Sequence, residues 1–139
     1  MNFSDLAVAY LEKAVVRLKV LELLAAEEAW SDVVREAQEA VELALKAVLR
    51  YVGVEPPKWH DVSGPLLEFG DRFSPLMRQD LERMAEISRW LRKEREFAFY
   101  GDVDFVPTEQ YTGADAARAS ADARLVVAAV AREMGRPLP

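Results

Sequence analysis

At 139 residues, 51% of them hydrophobic and 30% charged, with a net charge of −6, the chain has a globular composition and enough length to bury most of its apolar surface. It has no cysteine, which excludes disulfides, thiolate catalysis and cysteine-based zinc sites. The acidic balance argues against broad, non-specific nucleic-acid binding. No run of about 18 apolar residues is present, so no membrane span is expected. Size predicts one domain over 1–139. The N-terminal residues show no basic leader or cleavage site, which argues against secretion and for a cytoplasmic protein.

Phe3, Leu6, Ala7, Tyr10, Leu11, Ala14, Leu18, Leu21 and Ala25 recur at helical spacing. They predict a first helix from Phe3 to about Glu28, capped by Asn2 or Ser4. A short turn follows, and Ser31 or Asp32 is expected to cap a second helix running to about Val52. Its stripe is Val34, Gln38, Val41, Leu45, Val48 and Val52. Val33, Ala40, Leu43 and Ala47 widen the apolar arc beyond the roughly 100° of an ordinary surface helix. Such an arc implies packing on several sides. Arg35, Glu39, Glu42, Lys46 and Arg50 form the polar face, with Arg35–Glu39 and Glu42–Lys46 as i,i+4 ion pairs. Gly53 and Pro56–Pro57 end the helix.

Trp59-His60-Asp61 opens a short third helix over about Val62 to Phe69, with Pro65 in its first turn and Gly70 after it. Ser74–Pro75 is a strong restart, and a single fourth helix is expected to about Phe97. Its stripe of Met77, Leu81, Met84, Ser88, Leu91, Arg95 and Ala98 puts Arg95 on the inward-facing line. Tyr100-Gly101-Asp102 breaks that helix. A loop follows through Tyr111, part of which is expected to pack on the bundle through Phe105, Val106 and Pro107. Thr112 to Asp115 is a capping-box variant. The last helix uses Ala116, Ala119, Ala123, Val127, Val130 and Met134, and Gly135 and Pro137 end it. The fold class is therefore all-α: an up-and-down bundle of four long helices and one short one.

Few residues point to chemistry. His60 is the one histidine, and without cysteine or a second histidine no metal site is expected. It reads first as structural, with general acid–base work as the alternative. No phosphate-binding glycine loop or nucleophile elbow occurs, and no cofactor is expected. Arg89, Arg92, Lys93 and Arg95 form a dense cationic cluster, either a solvated helix end or a phosphate-handling group. Gln38, inside an apolar stripe, either bonds a neighbouring helix or lines a cleft. An inward Arg95 cannot lose its charge, so it needs an acid such as Glu42 or Asp102, or a ligand phosphate.

The run Ala37-Gln38-Glu39-Ala40-Val41-Glu42-Leu43-Ala44-Leu45-Lys46-Ala47 resembles the second-helix signature of the HEPN family of small helical domains. Gly53 with Lys58-Trp59-His60-Asp61-Val62 resembles its helix break and third-helix start. Arg95 to Asp102, then Tyr111-Thr112 and an alanine-rich last helix, resembles its C-terminal half. The resemblance implies a compact bundle, forming a homodimer with a charged cleft where protomers meet. Many members are ribonucleases that use an Arg, four to six intervening residues, then a His. Others lack that pair and serve as nucleotide- or substrate-binding partners of a minimal nucleotidyltransferase, often in toxin–antitoxin pairs.

Here Arg95 matches the Arg, but Tyr100 is the fifth residue after it, Asp102 follows, and Glu96 stands beside the Arg. A phenol with a pKa of about 10 is a poor proton shuttle near pH 7. The expected function is a nucleotide-, RNA- or partner-binding module, with Arg95, Arg92, Gln38, Lys46 and His60 as ligand contacts. The alternative is a divergent metal-independent ribonuclease toxin using Arg95 and Tyr100, with Asp102 as a third candidate.

Overall fold

The computed structural model describes residues 3–58, 61–99, 106 and 110–139, with the backbone alone at 3–4 and 96–99. Among the described residues every regular element is helical. Helices α1 (Phe3–Ala26) and α2 (Trp30–Tyr51) form a tight hairpin with the most extensive contact in the molecule. Short α3 (Ser63–Glu68) leads through a 3-10 turn at Gly70–Arg72 to α4 (Pro75–Arg78). Two long helices complete the bundle, α5 (Leu81–Phe99) and α6 (Gly113–Glu133). The all-α bundle with four long helices is as the periodicity predicts. No helix among the described residues is long and apolar enough to cross a membrane.

The breadth of α2's apolar arc has the expected cause. α2 packs on α1, α5 and α6 at once, and Val33, Val34, Ala37, Ala40, Val41, Ala44, Leu45, Ala47, Val48 and Leu49 are all buried. Its remaining strip carries the Arg35–Glu39 pair at 3.4 Å and the Glu42–Lys46 pair at 3.9 Å.

Local hydrogen bonds set the helix ends. After α2, the Gly53 N–H bonds the Arg50 carbonyl and the Val54 N–H bonds the Leu49 carbonyl. This paired closure needs a left-handed residue, and Gly53 supplies it at φ +84°. The end of α6 repeats the arrangement through Arg136 to Ala131, with Gly135 at φ +72°. Thr112 starts α6 with the full reciprocal capping box to Asp115, as expected.

Two boundaries depart from the expected ones. α2 starts at Trp30, with Ala29 at its N-cap and no side-chain cap, so neither Ser31 nor Asp32 caps it. The reason lies in the end of α1. Glu28 is left-handed at φ +56°, and the Ala29 N–H bonds the Leu24 carbonyl. The chain thus turns within three residues, and the Val33 N–H already bonds the Ala29 carbonyl. Ser31 is left buried in the first turn. The single fourth helix is in fact two. The Asp80 N–H bonds Met77 one residue early, and the Asp80 carbonyl then accepts from Met84 to start α5. Ser74 does cap α4 as expected, accepting from the Met77 N–H.

Candidate functional site

A small notch of about 10 Å³, room for about one water-sized group, opens between α2, the start of α3 and α5. Gln38, Val41 and Glu42 line it from α2, and Ser88, Leu91 and Arg92 from α5. Both triplets follow i, i+3, i+4 spacing, so each presents one face of its helix to the gap. Val62 forms the third wall. Asp61 holds that corner: its carboxylate accepts from the Ser63 N–H at 3.0 Å and the Ser63 hydroxyl at 2.8 Å. The small Ser88 side chain, at a position otherwise filled by Met and Leu along the stripe, leaves the space open.

The electrostatics of the notch centre on Glu42. Its carboxylate lies 3.7 Å from Arg92 and 3.9 Å from Lys46, and it accepts a long 3.5 Å bond from the Gln38 Nε2. Gln38 is only 3% exposed, and its buried Oε1 has no hydrogen-bond partner among the described residues. A buried amide carbonyl left unpaired costs about 1–3 kcal/mol. Native interiors seldom keep one unless a ligand or water completes it. The notch therefore offers an orphaned acceptor beside guanidinium and ammonium donors. That pairing suits a ligand with an N–H or O–H donor near an anionic group.

Of the expected ligand contacts, the structure brings Gln38, Lys46 and Arg92 together around Glu42. Arg95 does not join them on a buried line. It is exposed one turn further along α5, which corrects the inward placement. Ser88 and Leu91 keep the stripe buried as far as the notch. Beyond it the guanidinium stays in water, because burying a charge without a partner is prohibitive. Glu42 accordingly pairs with Arg92 and Lys46, not with Arg95. His60, Tyr100 and Asp102 lie outside the described residues, as does most of the loop expected to pack on the bundle. Val106 within that loop is exposed.

Two polar clusters had no place in the sequence reading. Asp122, buried on α6, accepts from the Trp90 Nε1–H at 2.9 Å and pairs with Arg83 at 3.4 Å. Arg118 lies 3.9 Å from the same carboxylate and 4.1 Å from the Trp90 ring centre. Only the i,i+4 spacing of Arg118 and Asp122 is visible in sequence. Tyr111, also buried, donates its hydroxyl to Glu94 at 2.9 Å. Burial, and then the Glu94 carboxylate, pushes the phenol well above its usual range.

The model of the HEPN domain family matches residues 7–134. No curated protein and no solved structure matches the chain. The family match takes in every wall of the notch and α6, nearly the whole of the sequence: this chain belongs to the HEPN domain family.

Proposed function

We propose that this HEPN domain is a binding module that takes a phosphate-bearing ligand, a nucleotide or an RNA end, at the α2–α5 notch. The observation that carries the reading is Gln38: a buried amide with an unpaired carbonyl, set beside Arg92 and Ser88. A nucleobase amino group suits that carbonyl, and a phosphate suits Arg92 with Lys46 once Glu42 is shared or displaced. With about 10 Å³ of room the notch holds about one water-sized group, far below the 300–1,000 Å³ of typical small-molecule sites, so it meets the ligand at a single donor group while the rest lies outside it. Exposed Arg95, one turn away, is in reach of the remainder. The wider setting in this proposal is a single-domain cytoplasmic protein. It forms a homodimer and partners a minimal nucleotidyltransferase in a toxin–antitoxin-like pair.

The test is thermal denaturation with AMP, ATP and a short RNA, for the wild type, Gln38→Met and Arg92→Ala. A ligand at about 100 times its Kd should stabilise the wild type by about 2.7 kcal/mol. Gln38→Met fills the same space without an amide. It should leave the apo protein as stable or more so, and abolish the shift. No shift with any of the three ligands sinks the proposal. So does RNA cleavage by the purified protein that Arg95→Ala removes, since that outcome favours the ribonuclease.

A further inference from the structure

A larger cavity, of about 360 Å³, lies between the end of α1, the start of α2 and the first half of α6. Ala25 and Trp30 line one side of it, and Gly113, Ala116 and Ala117 the other. The tight turn after α1 builds the first side. The Ala29 N–H bonds the Leu24 carbonyl, so Trp30, the first residue of α2, comes back beside Ala25. The small residues of α6 build the second side. A Cβ at Gly113 would lie 3.5 Å from the six-membered ring of Trp30, so glycine leaves that part of the indole open. Ala116 and Ala117 add one methyl each, and the wall between the two helices stays flat and apolar. Glu22 and Arg124 stand at its polar edge.

The cavity falls at the lower end of the 300–1,000 Å³ of small-molecule sites and shares no residue with the α2–α5 notch. An indole on one side and side chains no longer than a methyl on the other suit a planar ring system, which gains by stacking on Trp30. The edge sets the charge of the ligand. The Arg124 Nη2 lies 3.4 Å from the Glu22 Oε1, with the two side chains 45% and 71% exposed. A single long contact that wet contributes little, and it leaves the guanidinium with donors to spare. The fork of a guanidinium matches a ligand carboxylate in two parallel bonds, a better geometry than Glu22 gives it. A ligand cation would have to take Glu22 from Arg124, and would gain only the more exposed and more screened of the two partners. We propose that this cavity binds a small planar aromatic carboxylate, its ring against Trp30 and its carboxylate on Arg124. The proposal is independent of the ligand proposed for the notch.

The experiment titrates naphthoate into the isotope-labelled full chain and follows the indole N–H signals by NMR, with naphthamide and naphthylmethylamine as neutral and cationic controls. A ligand of about 13 non-hydrogen atoms should bind with a Kd on the order of 1 mM. Of the three indole signals, that of Trp30, assigned through Trp30→Phe, should move. That of Trp90, bonded to Asp122, should not. Naphthoate should bind about threefold tighter than naphthamide, Arg124→Gln should remove that preference, and Glu22→Gln, which frees Arg124, should increase it. Ala117→Phe, at an exposed position, should fill the cavity and abolish binding with helicity unchanged. Gly113→Ala should weaken binding, because its methyl meets Trp30 in ordinary contact. No naphthoate binding up to about 10 mM, ten times that Kd, overturns the proposal. So does binding that leaves the Trp30 signal in place or survives Ala117→Phe. Equal affinity for the three probes, or a preference for the amine, overturns the carboxylate assignment.

Discussion

Gln38 and Tyr111 are both buried polar side chains, and they differ in how they are satisfied. Gln38 has one half of its amide paired and, among the described residues, no partner for the other, which is the support for the proposed site. Tyr111 is paired, and its effect appears in the pH dependence of folding. Its hydroxyl donates to Glu94, and desolvation with the neighbouring carboxylate holds its proton more tightly than in the unfolded chain. With the folded pKa raised, this stability is fully present below the unfolded value of about 10 and is lost as pH rises past it. Urea denaturation at increasing alkaline pH should show stability falling by up to about 1.4 kcal/mol per pH unit above pH 10. Tyr111→Phe should flatten that limb, and an unchanged limb would rule the residue out as its source. Neither side chain's environment is legible in sequence. Gln38 stands out as polar in an apolar stripe, but Ser88 and Arg92, which complete its surroundings, come from a helix some 50 residues later.

Three helices end with the same pair of backbone bonds, and they do not end equally well. Gly53 and Gly135 adopt the left-handed conformation without a Cβ penalty, whereas Glu28 adopts it at φ +56° with a full side chain. Glu28→Gly should therefore stabilise the protein by about 1 kcal/mol, read as a higher denaturation midpoint. A lower midpoint would mean that the Glu28 side chain contributes something the backbone argument omits. The glycine ends were readable because glycine is itself the signal. The Glu28 end was not, and the misplaced cap at Ser31 and Asp32 followed from it. The split between α4 and α5 escaped notice for a similar reason: Met77, Leu81 and Met84 keep a helical period across a break that the backbone makes at Gln79–Asp80.

At the scale of the molecule, α2 is the axis on which the other long helices pack, and a few long-range polar contacts fasten the periphery. Glu133 accepts from both the Ser74 hydroxyl at 2.6 Å and the Ser74 N–H at 2.8 Å, tying the end of α6 to the start of α4. Asp122 fastens α6 to α5 through Trp90. Asp122→Ala should cost about 2 kcal/mol, since it deletes a charge-assisted bond and strands the indole N–H. Chemical denaturation followed by Trp fluorescence measures it, and Asp122→Asn should lose less because it keeps an acceptor. A loss below about 0.5 kcal/mol for the alanine variant would reduce Asp122 to a surface ion pair.

What the sequence by itself determined is everything carried by neighbours along the chain. The helical periods, the Thr112 capping box, the glycine ends and the i,i+4 ion pairs of α2 depend on residues within one or two turns of each other, and the family resemblance on the order of such local segments. Only the tertiary structure decided which faces meet. It set Ser88 and Arg92 opposite Gln38 and closed Asp122 onto Trp90. It also left Arg95 in water at the end of a line that periodicity alone had turned inward. A helical period fixes an angle around the helix axis, but burial at that angle depends on whether another helix is there to cover it.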